Sequence, residues 1–153
     1  MRSSDKKTKV YFQKIDPSAK LPSYAYEGDA GMDLFSSENK VINPSEKAVL
    51  STGLKVALPS GFGGFVWDKS GLAVKNHITT LAGVVDSNYR GELKVVLANL
   101  GANPHVINKG DKIAQFVVKP VEEASIEEIS DIEKLDSTPT SRGDKRFGSS
   151  GTQ

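Results

Sequence analysis

Turn-forming residues interrupt this chain at short intervals, and that spacing limits the folds open to it. Breaks fall at Asn43-Pro44-Ser45, Pro59-Ser60-Gly61, Asn88–Gly91 and Asn108-Lys109-Gly110-Asp111. Between them lie short runs rich in Val, Ile, Leu and aromatics. Candidate strands are Val10–Ile15, Met32–Phe35, Lys40–Ile42, Ala48–Ser51, Leu54–Leu58, Gly64–Trp67, Ile78–Leu81, Leu93–Asn99 and Lys112–Val121. Strands this short and this regularly punctuated predict an all-β fold, a β-sandwich or a jelly roll. Helix signals are weak. One short helix is expected to begin at Ser70, with its hydroxyl as a cap, and to run through Leu72-Ala73-Val74-Lys75. The acidic stretch Ser125–Leu135 sets Ile126, Ile129, Ile132 and Leu135 three apart, and a helix, an edge strand and an extended linker all fit it.

The 153 residues fit one compact domain. We place it at 1–136, with 1–8 as a flexible lead-in. Residues 137–153, rich in Ser, Thr, Gly and Pro with Phe147 as the single aromatic, read as a flexible C-terminal arm. Twenty Lys and Arg against 19 acids give a net charge of +1, which lacks the basic excess of a nucleic-acid binder. With no cysteine there is no disulfide, Cys-based zinc site or thiol nucleophile. His77 and His105 are far apart, without ligand spacing, and read as ordinary surface or turn residues. No apolar run approaches the ~20 residues of a membrane span, and the polar, basic N-terminus lacks the apolar stretch of a signal peptide. The expectation is a cytoplasmic protein.

Three segments carry candidate chemistry. Lys69-Ser70-Gly71, ahead of the short helix, offers a cation, a hydroxyl and backbone N–H donors to an anion; a capped surface helix is the plainer reading. Gly83–Glu92 reads as a hairpin that delivers Asp86 into a tight turn followed by Tyr89 and a further strand, and a carboxylate at the end of a rigid hairpin could polarise a water; Asp and Asn are also standard turn residues. The arm Arg142-Gly143-Asp144-Lys145-Arg146-Phe147-Gly148-Ser149-Ser150-Gly151 could fold over a ligand, with Arg142 on phosphate and Phe147 on a base; a solvated tail is the bland alternative.

Taken together, these segments resemble the five motifs of the trimeric dUTPase family, in order, from near residue 22 to the C-terminus. The motifs are Ala30-Gly31-Met32-Asp33-Leu34 after Leu21-Pro22, Ser70-Gly71-Leu72-Ala73, Gly83–Glu92 continuing to Asn99, Gly110-Asp111-Lys112-Ile113-Ala114-Gln115, and Arg142-Gly143 followed by Phe147-Gly148-Ser149-Ser150-Gly151. The resemblance implies a jelly-roll fold and a homotrimer with shared sites that hydrolyses dUTP to dUMP and pyrophosphate. It implies that Asp86 activates the water attacking the α-phosphorus and that Tyr89 packs under the deoxyribose. The segment from Gly83 to Lys94 would read the uracil edge. Ser70, Gly71 and Gln115 would bind the phosphate chain, with Lys69 as the neighbouring cation. Mg²⁺ would be held mainly by the triphosphate and reached by Asp33 through water. Arg142 would grip the terminal phosphate, and Phe147, with Gly148 and Ser149 beside it, would cover the uracil.

The chain departs from the family at three positions. The family has Arg before Ser-Gly, often after Pro; here the residues are Asp68 and Lys69, and Arg146 stands where Gly is usual. Neighbouring side chains at a strand end point to opposite faces, so Lys69 is expected to face the phosphates and Asp68 to point away and be dispensable. Two rival readings share the fold. A dCTP deaminase would carry a catalytic Glu where this chain has Val96, and a non-catalytic nucleotide-binding protein would have no need of Asp86, Tyr89, Arg142 and Phe147 together.

Overall fold

A computed structural model of the protein describes residues 7–130. Ten strands and one helix follow in order: β1 (Tyr11–Lys14), β2 (Met32–Phe35), β3 (Lys40–Ile42), β4 (Lys47–Ala57), β5 (Phe62–Trp67), α1 (Ser70–Asn76), β6 (Ile78–Leu81), β7 (Val84–Val85), β8 (Glu92–Asn99), β9 (His105–Ile107) and β10 (Lys112–Pro120). Two four-stranded antiparallel sheets, ordered β1-β4-β8-β6 and β2-β10-β5-β7, pack against each other, and β3 pairs with β9 as a small third sheet. This is a jelly-roll sandwich, within the all-β class that the punctuated sequence predicts and with the fold that the family resemblance implies.

Period-two alternation builds the interior. Along β8, Leu93, Val95 and Leu97 are buried while Lys94 is exposed. From the second sheet, Leu34, Val66 and Phe116 meet them in one apolar cluster. Phe116 is fully buried, and its ring stands edge-on to Phe12 of the first sheet, with centroids 6.3 Å apart at 72°. It lies so close over β5 that a Cβ on Gly64 would overlap the ring. The buried polar Asn99 is fully partnered: Nδ2 donates to the carbonyls of Ile42 and Asn103, each at 2.8 Å, and Oδ1 accepts the Gly101 N–H at 2.9 Å.

Several sequence expectations need correction. Ala48–Ser51 and all of Leu54–Leu58 but Leu58 belong to one 11-residue strand, Lys47–Ala57, with a register shift between Ser51 and Lys55. Gly53, at a φ of +70°, absorbs that irregularity. His105 lies in β9 rather than in a turn, whereas His77 is a left-handed turn residue closing α1, at a φ of 56°. The cap of α1 is Lys69, in extended conformation, with no side-chain hydrogen bond. Ser70 is already inside the first turn, so its hydroxyl is not used as a cap. Gly83–Glu92 is not a closed hairpin: β7 pairs with β5 in one sheet and β8 with β4 and β6 in the other. The chain divides into units after Glu122, and residues 123–130 carry no regular structure. The expected boundary at 136, the arm 137–153 and the start of the lead-in lie outside the described residues. Among the described residues, no helix is long and apolar enough to cross a membrane.

Phe116→Ala is expected to lower the unfolding free energy by about 3–5 kcal/mol, the usual range for emptying an aromatic core position. Gly64→Ala should be clearly destabilising in the parent chain and nearly neutral beside Phe116→Ala, since the ring that it strikes is then gone. Denaturant titrations of the two single variants and the double variant read both effects, and additive losses would refute the contact.

Candidate active site

Two groups of functional side chains emerge from this frame. The first is a pocket of about 240 Å³ formed where the chain leaves β6 and returns along β8. β6 and β8 are antiparallel neighbours, with Leu81 opposite Val96. Between them the chain swings out to touch β5 through Val84 and Val85 and then comes back. Leaving β6 requires two left-handed residues, Ala82 at φ 60° and Gly83 at φ 124°. Gly83 admits no side chain, because a Cβ there would stand 2.7 Å from the Val66 carbonyl. The Val66 N–H in turn donates to the Gly83 carbonyl at 2.8 Å, so the loop is fastened to the opposite sheet.

The return leg is tied as tightly. The Asp86 carbonyl accepts the Tyr89 N–H at 3.1 Å. The Arg90 guanidinium donates to the carbonyls of Ser87 and Tyr89, at 2.7 and 2.8 Å. The Tyr89 hydroxyl donates to the Glu92 carbonyl at 2.9 Å, and the ring lies directly against Gly91, where any Cβ would overlap it. Tyr89 is thus a fixed wall. Asp86 lines the same pocket and is exposed. Lys94 also lines it, with Nζ 3.7 Å from Glu92 Oε2. Val96 supplies an apolar side chain to the lining, at the position where the deaminase reading needs an acid.

The second group surrounds Asp33. On adjacent strands β2, β10 and β5, Asp33, Gln115 and Trp67 are in register. Asp33 is 4% exposed and meets two ammonium groups: Lys69 on Oδ1, and Lys112 2.7 Å from Oδ2. Burial alone would push its carboxyl up, but the contacts with Lys112 and Lys69 outweigh burial and hold it below the usual carboxylate range. The Lys112 contact is an ion pair rather than an aligned hydrogen bond, and Oδ2 has no hydrogen-bond donor among the described residues. Gln115 Nε2 donates to the Asp68 carbonyl at 2.8 Å, and its side chain fills the space beside Gly31. Ser70 and Gly71 follow directly and are exposed.

Asp68 and Lys69 diverge as strand alternation predicts. Lys69 pairs with Asp33, while Asp68 turns to β6 and accepts hydrogen bonds from Thr79 Oγ1, Thr80 N and Thr80 Oγ1 at 2.8, 2.6 and 2.6 Å. Burial would raise the Asp68 carboxyl, but these donors more than offset it and hold it low. The sequence reading missed Lys112. A bulge between Lys112 and Ala114 turns both Ile113 and Ala114 inward, so Lys112 and Gln115, three apart, share the outer face. Strict alternation would have put them on opposite faces.

Gly83, Asp86, Tyr89 and Lys94 therefore share one pocket, and Asp33, Lys69 and Gln115 gather elsewhere beside Ser70 and Gly71. None of these latter five lines the pocket. Arg142, Phe147, Gly148 and Ser149 lie outside the described residues. Among the described residues, no three His, Cys, Asp or Glu side chains cluster as a metal site. Asp33 is the acid of this group that could meet the water shell of a Mg²⁺ brought by a ligand's phosphates, once one of its two ammonium partners gives way.

The dUTPase family model matches residues 17–151. The deoxyuridine 5'-triphosphate nucleotidohydrolase of Clostridium kluyveri is 46% identical over 142 residues, covering 92% of this chain and 96% of that protein. Its counterpart from Mycobacterium marinum is 47% identical over 141 residues, covering 90% and 92%. Among solved structures, the dUTPase of Staphylococcus bacteriophage 80alpha with dUPNHPP superposes with a TM-score of 0.84 at 28% identity, covering 94% of this chain and 98% of that one. A variant dUTPase from phage phi11 of S. aureus, described with a coordinated structural Mg(II) ion, gives 0.76 at 26% identity, covering 80% and 97%. With the family model spanning most of its length and relatives this similar along nearly all of theirs, the chain belongs to the dUTPase family.

Proposed function

We propose that the protein hydrolyses dUTP to dUMP and pyrophosphate in the cytoplasm, limiting uracil incorporation into DNA and supplying dUMP for dTMP synthesis. The observation that carries this reading is the pocket formed where the chain leaves β6 and returns along β8, in which a tied-down tyrosine and an exposed carboxylate share a space of nucleoside size. Gly83 brings bare backbone to the lining, and a base edge can be read there by main-chain N–H and C=O groups. A snug fit rejects thymine by its methyl group and cytosine by donor–acceptor mismatch. The fixed Tyr89 ring leaves no room for a 2′-hydroxyl on the sugar. Asp86 orients the water that attacks the α-phosphorus and takes up its proton.

Lys69, Ser70, Gly71 and Gln115 receive the phosphate chain. Mg²⁺, when bound, neutralises charge on the triphosphate, and Asp33 meets its water shell. Lys69 can leave Asp33 for a phosphate oxygen because Lys112 still balances the buried carboxylate. Arg142 holds the terminal phosphate, and Phe147, with Gly148 and Ser149, closes over the uracil and excludes bulk water. In one chain the pocket and the phosphate group are separate, which supports a homotrimer whose sites are shared between subunits. The outer face of the β5-containing sheet also fits burial against another copy. Trp67 and Val84 are 55% and 70% exposed there, and Lys119 Nζ lies over the Phe65 and Trp67 rings at 4.5 and 5.4 Å.

Pyrophosphate release from dUTP, dCTP, dTTP and UTP, measured in parallel with Mg²⁺, tests the reaction; equal rates on all four would defeat it. Asp86→Asn is expected to lower kcat by at least about a hundredfold while KM stays within about tenfold, as for loss of a positioned base. Tyr89→Ala should narrow the kcat/KM ratio of dUTP to UTP, and an unchanged ratio would remove the ring from sugar selection. Lys69→Ala should raise KM and lower kcat markedly, whereas Lys69→Arg should be tolerated; steady-state kinetics showing a normal Lys69→Ala would take this cation off the phosphates.

A further inference from the structure

We infer that Asp68 is a positioning residue for the reaction, the clasp that fixes the Lys69-Ser70-Gly71 turn. The inference rests on the proposal that this turn receives the phosphate chain. Its physical basis is that α1 has little else to hold it. The helix is seven residues long, has no buried residue and no side-chain cap, and contributes Leu72 only partly to the core. Isolated helices shorter than about 12–15 residues are marginal in water, so its placement must come from its ends.

Asp68 supplies that placement from both its side chain and its backbone. Its carboxylate takes three donors from β6, so residues 68 and 80 close the neck of the loop that carries α1. Thr80 sits on the edge strand of its sheet, and its N–H bonds Asp68 Oδ1. The Asp68 carbonyl takes Gln115 Nε2 from β10 in the other sheet. The residue just before Lys69 is thus tied to both sheets, which fixes where the Lys69 ammonium and the Ser70 hydroxyl begin. Both carboxylate oxygens are occupied by threonine donors, so this acid can stand beside an anion-binding turn without facing it. The expectation that Asp68 is dispensable is therefore replaced.

The test is dUTP kinetics, with dUMP inhibition in parallel, on Asp68→Ala, Asp68→Asn and the Thr79→Val/Thr80→Val double variant. Asp68→Ala should raise the KM for dUTP by about tenfold, because the turn must then be ordered as the phosphates bind, with a smaller fall in kcat. Inhibition by dUMP, which depends chiefly on the Tyr89 pocket, should stay within about twofold. Asp68→Asn keeps an acceptor for Thr80 and should restore most of the lost affinity. Should Asp68→Ala not fold, the double threonine variant, which strips both hydroxyl donors and leaves the carboxylate, carries the same expectation. Normal KM and kcat in the variants overturn the inference. So does a uniform loss of dUTP and dUMP affinity that Asp68→Asn fails to rescue, because that marks general loosening. Ser70→Ala separates the two readings. Weakened dUTP binding there, with none in Asp68→Ala, overturns the clasp alone; a normal Ser70→Ala overturns the phosphate turn and the clasp with it.

Discussion

The contact of the Phe116 ring with the bare backbone of Gly64 sets where β5 lies, and both groups of functional residues hang from β5. The ring fills the middle of the sandwich and touches Phe12 in the facing sheet, so β5 can approach only because no side chain intervenes. Two residues further on, the Val66 N–H holds the Gly83 carbonyl and anchors the pocket loop. Past the end of the strand, Asp68 is clasped by β6 and by Gln115, and Lys69 is delivered to Asp33. A core contact and two site geometries are therefore one mechanical problem. Interiors at crystal-like density transmit strain, so slackness at Gly64 would be felt at the pocket rim and at the anion group alike.

Electrostatics then divides the labour between the two groups. Burying a carboxylate is costly unless it is paired, and Asp33 is paired twice. Taken alone, the trio of Asp33, Lys69 and Lys112 carries one net positive charge, on two side chains that are partly or largely exposed. An incoming polyanion can recruit an ammonium from this trio without stranding a lone buried charge. In the other group the exposed Asp86 has no such neutralising pair among the described residues. Asp68 is the third acid nearby, and its threonine donors keep it turned from the turn it precedes.

The fold was legible wherever hydrophobic periodicity had length to speak through. β2, β3 and β6 have the limits their sequences suggest, and β8 and β10 differ by one residue at one end. Periodicity failed where a strand gains its identity only from its partner. His105-Val106-Ile107 is as short as its partner β3 and carries the same pattern, and it is the pairing with β3 that makes it a strand. Val84-Val85 reads as one arm of a hairpin, yet local sequence carries no record of which sheet the pair will join. Lys112 was hidden by a bulge, because two successive inward residues break the parity on which face assignment rests. The motifs named Asp33, Asp86, Tyr89 and Gln115 together, but their separation into two groups is a tertiary fact. The twin lysines on Asp33 and the clasp at Asp68 join residues 36 and 79, and 11 and 12, positions apart, with no spacing rule to announce them.

Gly71 offers a final argument about what the phosphate group is built to meet. Most glycines in this chain have a local reason: Gly83 sits against a carbonyl, Gly91 against the Tyr89 ring, Gly31 against Gln115. A Cβ at Gly71 would meet nothing within 4 Å, and no positive φ is required there. Glycine in a helix costs roughly 1 kcal/mol relative to alanine, and α1 is too short to absorb that easily. The chain's own packing therefore gives no reason for the missing side chain. Under the proposed function the reason lies in a ligand that approaches the backbone from outside, where the Ser70 hydroxyl and the Lys69 ammonium would receive it. A polyphosphate drawing close to main-chain N–H groups accounts for the open space, the exposed hydroxyl left unused as a cap and the cation held in reserve on Asp33.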